Sequence, residues 1–179
     1  MIEAEAKIKI NNPKEFRKKI SKISNSIKKE KKIDFYYTLE STKNYPQKSL
    51  RIRKTHDGFQ INFKKKLSYI KGIHAKKESE FTVSDLKSFL SLIKDFGFNK
   101  WLTKVKLSEI YEINKIFHIE INHVKNLGWF LEIEYLTDKK HITKARNEIL
   151  KVLKFLGIHK KNIIEQGYTK MLWDKKFRK

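Results

Sequence analysis

The chain contains no cysteine. That excludes a disulfide scaffold, a thiolate metal site and a cysteine nucleophile. No apolar run approaches the roughly 18 residues that a membrane span needs. The N-terminus, MIEAEAKIKI, has no apolar stretch or cleavage site of a signal peptide. A cytoplasmic location is the expectation. Two prolines and six glycines leave no linker and no low-complexity segment in the 179 residues. A single domain, 1–179, long enough to bury a core, is therefore expected. Arginine is scarce too. Of 42 basic residues five are arginine, leaving 37 lysines. The net charge of +22 would ordinarily suggest nucleic acid. The lysines are spread along the chain, however, and accompany an excess of Ile and Asn. This reads as compositional drift rather than selection for phosphate-backbone contacts, and it argues against nucleic acid as the main ligand.

What is present alternates. Residues 2–10 read as a strand. Asn12-Pro13 opens a helix, with Phe16, Ile20, Ile23 and Ile27 at helical spacing to about residue 29. Strands follow near 32–40, 49–55, 59–66 and 73–82, with His56-Asp57-Gly58 as a turn signal. Ser84 is the expected cap of a helix carrying Phe89, Leu92, Ile93 and Phe96 and ending at Gly97. Strands at 100–112, 115–124 and 129–136 precede a helix over 141–156 that stops at Gly157. A last helix is expected over 162–173. The class is α+β.

The strands carry charged pairs at spacing two. The acidic set is Glu3/Glu5, Glu78/Glu80 and Glu132/Glu134; the basic set is Lys7/Lys9, Arg51/Arg53, Lys64/Lys66 and Lys104/Lys106. Side chains at i and i+2 share a face of a strand. One such strand would be a solvated face. Repetition with both signs, beside three amphipathic helices that need an apolar surface, points to charged faces turned inward. A barrel of about eight strands has room for a ligand. Opposed acidic and basic walls suit a polyphosphate with a divalent metal: arginine and lysine neutralise phosphoryl oxygens, and carboxylates hold Mg²⁺ or Mn²⁺. No Walker A loop occurs. The plainer reading of each pair is cross-strand ion pairing.

These residues resemble the CYTH family, the triphosphate tunnel metalloenzymes. Glu3-Ala4-Glu5-Ala6-Lys7 matches its E-x-E-x-K hallmark. Leu50-Arg51-Ile52-Arg53, Asn62-Phe63-Lys64, Lys76-Lys77-Glu78-Ser79-Glu80 and Lys104-Val105-Lys106 are similar to its later strands, in order. The run from Phe117 to Glu134 resembles its LD-x-V-x-x-LG-x-F-x-EIE segment, and Gly167-Tyr168-Thr169-Lys170-Met171-Leu172 its C-terminal SY-x-x-LL. The wording is closest to the prokaryotic class IV adenylyl cyclase-like branch.

The resemblance implies a closed eight-stranded antiparallel β-barrel with helices outside, and an enzyme that cleaves a triphosphate compound using Mg²⁺ or Mn²⁺. Substrates would be inorganic, thiamine or nucleoside triphosphate, ATP included, taken by a monomer or homodimer. The alternatives are a class IV cyclase making cyclic AMP and a non-enzymatic binder of polyphosphate or nucleic acid. Arg51, Arg53, Lys64, Lys76, Lys104 and Lys106 would hold phosphate. Glu132 and Glu134 would bind the first metal, Glu3 and Glu5 the second, with Glu78 and Glu80 as further ligands. Lys7, with Glu5, would orient the attacking water or hydroxyl. His118 and Tyr168 are expected to be structural, and Trp101, Trp129 and Trp173 to sit in the core or rim. Two departures stand out. Asn122 replaces the family aspartate, and the His-Phe extension of characterised cyclases does not precede Glu3.

Overall fold

In a computed structural model the strands are β1 (Ile2–Lys9), β2 (Ser26–Thr38), β3 (Leu50–Thr55), β4 (Gly58–Ile70), β5 (Ile73–Val83), β6 (Asn99–Asn114), β7 (Phe117–Val124) and β8 (Gly128–Thr137). The helices are α1 (Pro13–Ile20), α2 (Leu86–Asp95), α3 (Ile142–Phe155) and α4 (Tyr168–Phe177). The structure describes residues 2–24, 26–55, 58–70 and 73–177, with side chains left aside at 26–27, 55, 64–70 and 73–78. The side chains of Lys64, Lys66, Lys76 and Glu78, and the turn residues His56 and Asp57, lie outside that description.

All strands join one antiparallel sheet in the order β1-β5-β4-β3-β2-β6-β7-β8, and β8 pairs again with β1 along Ile2–Lys9. Alternation then sorts the residues. On β1, Ala4, Ala6 and Ile8 face outward into the main core with Ile119 and Ile121 of β7 and Leu131 and Ile133 of β8. Ile20 of α1 and Ala145, Ile149 and Leu153 of α3 cover that face. Burying one such isoleucine contributes roughly 1.5–3 kcal/mol. On the far side, Phe89, Leu90 and Ile93 of α2 cover Ile52 and Ile61. With apolar faces outward under helices, Glu3, Glu5 and Lys7 on β1 point the other way. Among the described residues no helix is long and apolar enough to cross a membrane.

Four local expectations need correction. The first helix stops at Ile20, not near 29; residue 27 belongs to β2. The Ser24 hydroxyl donates to the Glu112 carbonyl at 2.8 Å, so the chain is already joining β6, and the long β2–β6 ladder overrides helical spacing. Asp85, not Ser84, caps α2, accepting the Ser88 N–H at 3.1 Å. Leu86, Phe89, Leu90 and Ile93 form its packed i, i+3, i+4, i+7 stripe. Leu92 is off that stripe and Phe96 is past the last turn; they are 53% and 71% exposed. The last expected helix is a single 3₁₀ turn, Lys160–Asn162, and then α4 from Tyr168. Gly97 (φ 88°) and Gly157 (φ 75°) end α2 and α3 where the sequence signals, in a conformation that favours glycine.

Candidate active site

The inward faces line a cavity of about 580 Å³ with a wall of each sign. The acidic wall comes from β1, β8 and β7. Register places Glu5 opposite Glu134, Lys7 opposite Glu132, and Glu120 opposite Glu132. Glu3, Glu5 and Glu134 bring carboxylate oxygens within 4.8 Å of one another, and so do Glu120, Glu132 and Glu134.

So many buried carboxylates need counter-charges. Lys7 Nζ lies 3.2 Å from both Glu5 and Glu132. Lys106 Nζ, from β6, lies 2.6 Å from Glu120 and 3.1 Å from Glu132. Lys32 of β2 reaches Glu120 at 2.9 Å. Burial works against the charge on Lys7, but Glu5 and Glu132 outweigh it and hold the ammonium above the usual lysine range. Lys106 is raised likewise, by Glu120 and Glu132 against burial. Burial would raise Glu120 and Glu132, yet Lys106 with Lys32 keeps the first low, and Lys106 with Lys7 the second. Glu134 is the exception. Burial, then the charges of Glu120 and Glu132, push its carboxyl up to about 7.

The basic wall comes from β3, β2 and β6. Asp34 of β2 lies opposite Arg53 and Lys104 and is fully buried. Arg53 donates from Nε and Nη2 to its two oxygens at 2.6 and 3.0 Å, and Lys104 Nζ is 3.0 Å away. Burial would raise Asp34, but Lys104, Arg53 and Arg51 together hold it far below the usual carboxylate range. Arg51 is 7% exposed, and its Nε has no hydrogen bond among the described residues.

A CYTH domain model matches residues 1–168. The chain belongs to the CYTH family. A Methanocaldococcus jannaschii protein named "Putative adenylate cyclase MJ0240" is 30% identical over 175 residues, covering 96% of this chain and 98% of that one. The structure of PH1012 from Pyrococcus horikoshii superposes with a TM-score of 0.76 at 27% identity, covering 93% and 97%. HpAC1 from Hippeastrum shares the fold at 15% identity, with a TM-score of 0.63 over 98% and 95%.

Within this CYTH chain, Glu3, Glu5, Lys7, Arg51, Arg53, Lys104, Lys106, Glu132 and Glu134 all line the one cavity. Glu80 also lines it, accepts from Asn62 at 3.2 Å, and falls outside both carboxylate groups. Lys106 stands among the carboxylates rather than on the Arg51 side. Asn122 donates to Glu120 at 3.0 Å and to Glu132 at 2.7 Å. An aspartate there would add another anion to a wall that already has an excess; the amide brings donors instead. Tyr168 packs on Phe130 and lines the cavity, with Lys7 Nζ 4.4 Å from its ring centroid. His118 lies opposite Glu134 and belongs to neither carboxylate group. Trp101 and Trp173 are buried around Tyr45, and Trp129 is partly buried against the main core.

Sequence reading passed over Asp34, Lys32 and Glu120. The signal was there. Lys32, Asp34 and Tyr36 keep spacing two along β2, as do Glu120 and Asn122 along β7. They escaped because each pair mixes charge types instead of repeating one.

Proposed function

We propose that this chain, acting as one unit over 1–179, hydrolyses a triphosphate compound within its ring of strands with the help of Mg²⁺ or Mn²⁺. One observation carries this: two walls of opposite sign face a single cavity of about 580 Å³. The donor chemistry fits a hard divalent ion, since both carboxylate groups offer oxygen alone. Glu132 and Glu134, joined by Glu120, would hold one ion, and Glu3 and Glu5, with Glu134 between them, a second. An ion held there would supply positive charge to offset that of the phosphate oxygens.

The chain's own groups do the rest. Arg51, whose Nε has no hydrogen bond among the described residues, offers its guanidinium to a phosphoryl oxygen, and Arg53 on the same strand and Lys104 on β6 add charge. Lys64 and Lys76 are proposed partners on β4 and β5. Lys7, fixed between Glu5 and Glu132, orients the attacking water. Phosphoryl transfer asks a protein mainly for such positioning and charge neutralisation. The test is a panel of triphosphates with Mg²⁺ or Mn²⁺. Phosphate release is expected from at least one, and none from any would sink the reading.

The name of the Methanocaldococcus relative favours a second reading, cyclisation of ATP. That chemistry directs the ribose 3′-hydroxyl to the α-phosphorus instead of water to the γ-phosphorus. Product identity separates the two: cyclic AMP with pyrophosphate, or ADP with phosphate.

A further inference from the structure

Asp34 is an odd residue for a wall that meets phosphate. It is an anion, 0% exposed, on the strand between the two that carry Arg53 and Lys104. It does not line the cavity, and it belongs to neither group of clustered carboxylates. Nothing about it suits contact with a metal or a triphosphate. Everything about it suits contact with the residues that would make those contacts.

We propose that Asp34 is a positioning residue, which aims Arg53 and Lys104 at the triphosphate while touching neither substrate nor metal. The inference rests on the triphosphate reading above. Register puts both cations directly opposite Asp34, one on each side. Arg53 spends Nε and Nη2 on the two carboxylate oxygens, a fork with defined direction. Nη1 has no hydrogen bond among the described residues, which leaves it for a ligand in the cavity that Arg53 lines. Lys104 is drawn to the same Oδ2 that takes Arg53 Nη2, and the Tyr36 hydroxyl donates there at 3.4 Å.

The arrangement answers two physical problems. Arg51 and Arg53 on β3 and Lys104 on β6 are like charges flanking β2, and without an anion between them they would repel in the empty protein. Arginine and lysine also have many rotamers, and freezing them on binding weakens affinity. A buried carboxylate answers both beforehand. The cost is one negative charge near the phosphate. Asp34 therefore acts in two opposing directions, and a simple loss of affinity on mutation would not isolate its role.

A double-mutant cycle does isolate it. Calorimetry with inorganic tripolyphosphate would be run on the full chain without metal, for wild type, Asp34→Asn, Arg53→Ala and the double variant. The charge removed at position 34 is the same in both backgrounds and cancels. Asp34→Asn is expected to be roughly tenfold more damaging to the dissociation constant when Arg53 is present than when it is alanine. Equal effects in the two backgrounds would overturn the proposal and leave the function reading standing. Wild type that binds no tripolyphosphate would fail both. If Asp34→Asn does not fold, Asp34→Glu keeps the charge and displaces it by one methylene. It should fold and bind roughly tenfold more weakly; wild-type affinity in that variant overturns the role.

Discussion

The two walls of the cavity solve the same problem in opposite ways. On the acidic side several carboxylates share lysines, Lys7 between Glu5 and Glu132, and Lys106 between Glu120 and Glu132. On the basic side several cations share one carboxylate, Asp34. Each wall is thus partly neutralised from within, and each keeps an excess of its own sign, with one group that stands out. For the acidic wall it is Glu134, whose carboxyl is pushed up to about 7 by burial and by neighbouring carboxylates. For the basic wall it is Arg51, whose Nε has no hydrogen bond among the described residues. A cation would be drawn to the first and a phosphate to the second. Opposite residual charge, not total charge, is what the cavity presents to a ligand.

The largest expected effect tests the acidic wall. Glu132→Gln should lower turnover roughly a hundred- to a thousandfold, on the order expected for one lost preorganised electrostatic contact. Lys7 keeps Glu5 and Lys106 keeps Glu120, so the fold should survive with a loss of roughly 1–3 kcal/mol. Tripolyphosphate should still bind, because Arg51 and Arg53 are untouched. Phosphate release at saturating Mn²⁺ measures this, and wild-type activity would show that the metal is held elsewhere. Arg51→Ala should do the reverse. Metal affinity should stay, and triphosphate binding should weaken by about 1.5–3 kcal/mol, as for a charge-assisted contact. Calorimetry with each ligand separately reads both halves. If Arg51→Ala weakened the metal instead, the division into walls would be wrong.

The division was only half legible beforehand. Repeated dyads such as Glu3/Glu5 and Arg51/Arg53 identified inward faces, because period two is a backbone property and needs no tertiary information. The apolar residues between them located the outer core equally well. What spacing could not supply was pairing across strands. That Lys106 belongs with Glu120 and Glu132, away from Arg51, follows from the β6–β7–β8 register. Asp34 has meaning only once β3 and β6 are known to flank β2. The extra turns expected after Ile20 failed for the same reason, since the β2–β6 ladder overrides local helical preference.

A smaller effect follows from Glu134. Its folded value, about 7, lies above the ordinary carboxylate value. A raised carboxyl contributes stability while protonated, and the contribution is lost as pH rises through 7. The metal-free protein should therefore lose about 1 kcal/mol between pH 6 and pH 8. Bound Mn²⁺ should reverse the trend, since its binding expels that proton. Thermal melts at the two pH values, with and without Mn²⁺, check the sign. In Glu134→Gln the pH dependence should flatten; an unchanged slope would assign it to another group.

The smallest effect compares an inner fork with an outer one. Arg17 of α1 donates from Nε and Nη2 to Glu109 at 2.7 and 2.9 Å, nearly the geometry of Arg53 on Asp34. The surroundings differ. The side chains of Arg17 and Glu109 are 33% and 20% exposed, those of Arg53 and Asp34 16% and 0%. Solvent screens the outer pair, so Arg17→Met should cost less than about 1 kcal/mol, or roughly 2–4 °C of melting temperature at most. Methionine keeps much of the apolar stem but loses the guanidinium, whose Cζ lies 5.5 Å from the Trp129 ring centroid. Activity and tripolyphosphate affinity should not change, because Arg17 is on the outside of the sheet. Arg53→Met removes the same kind of fork from the inside and should lower both, while leaving Asp34 buried with Lys104 as its one close ion-pair partner among the described residues. If the two substitutions cost the same, hydrogen-bond geometry would outweigh burial in this fold, and the account of the walls as buried, self-neutralised charge would lose its basis.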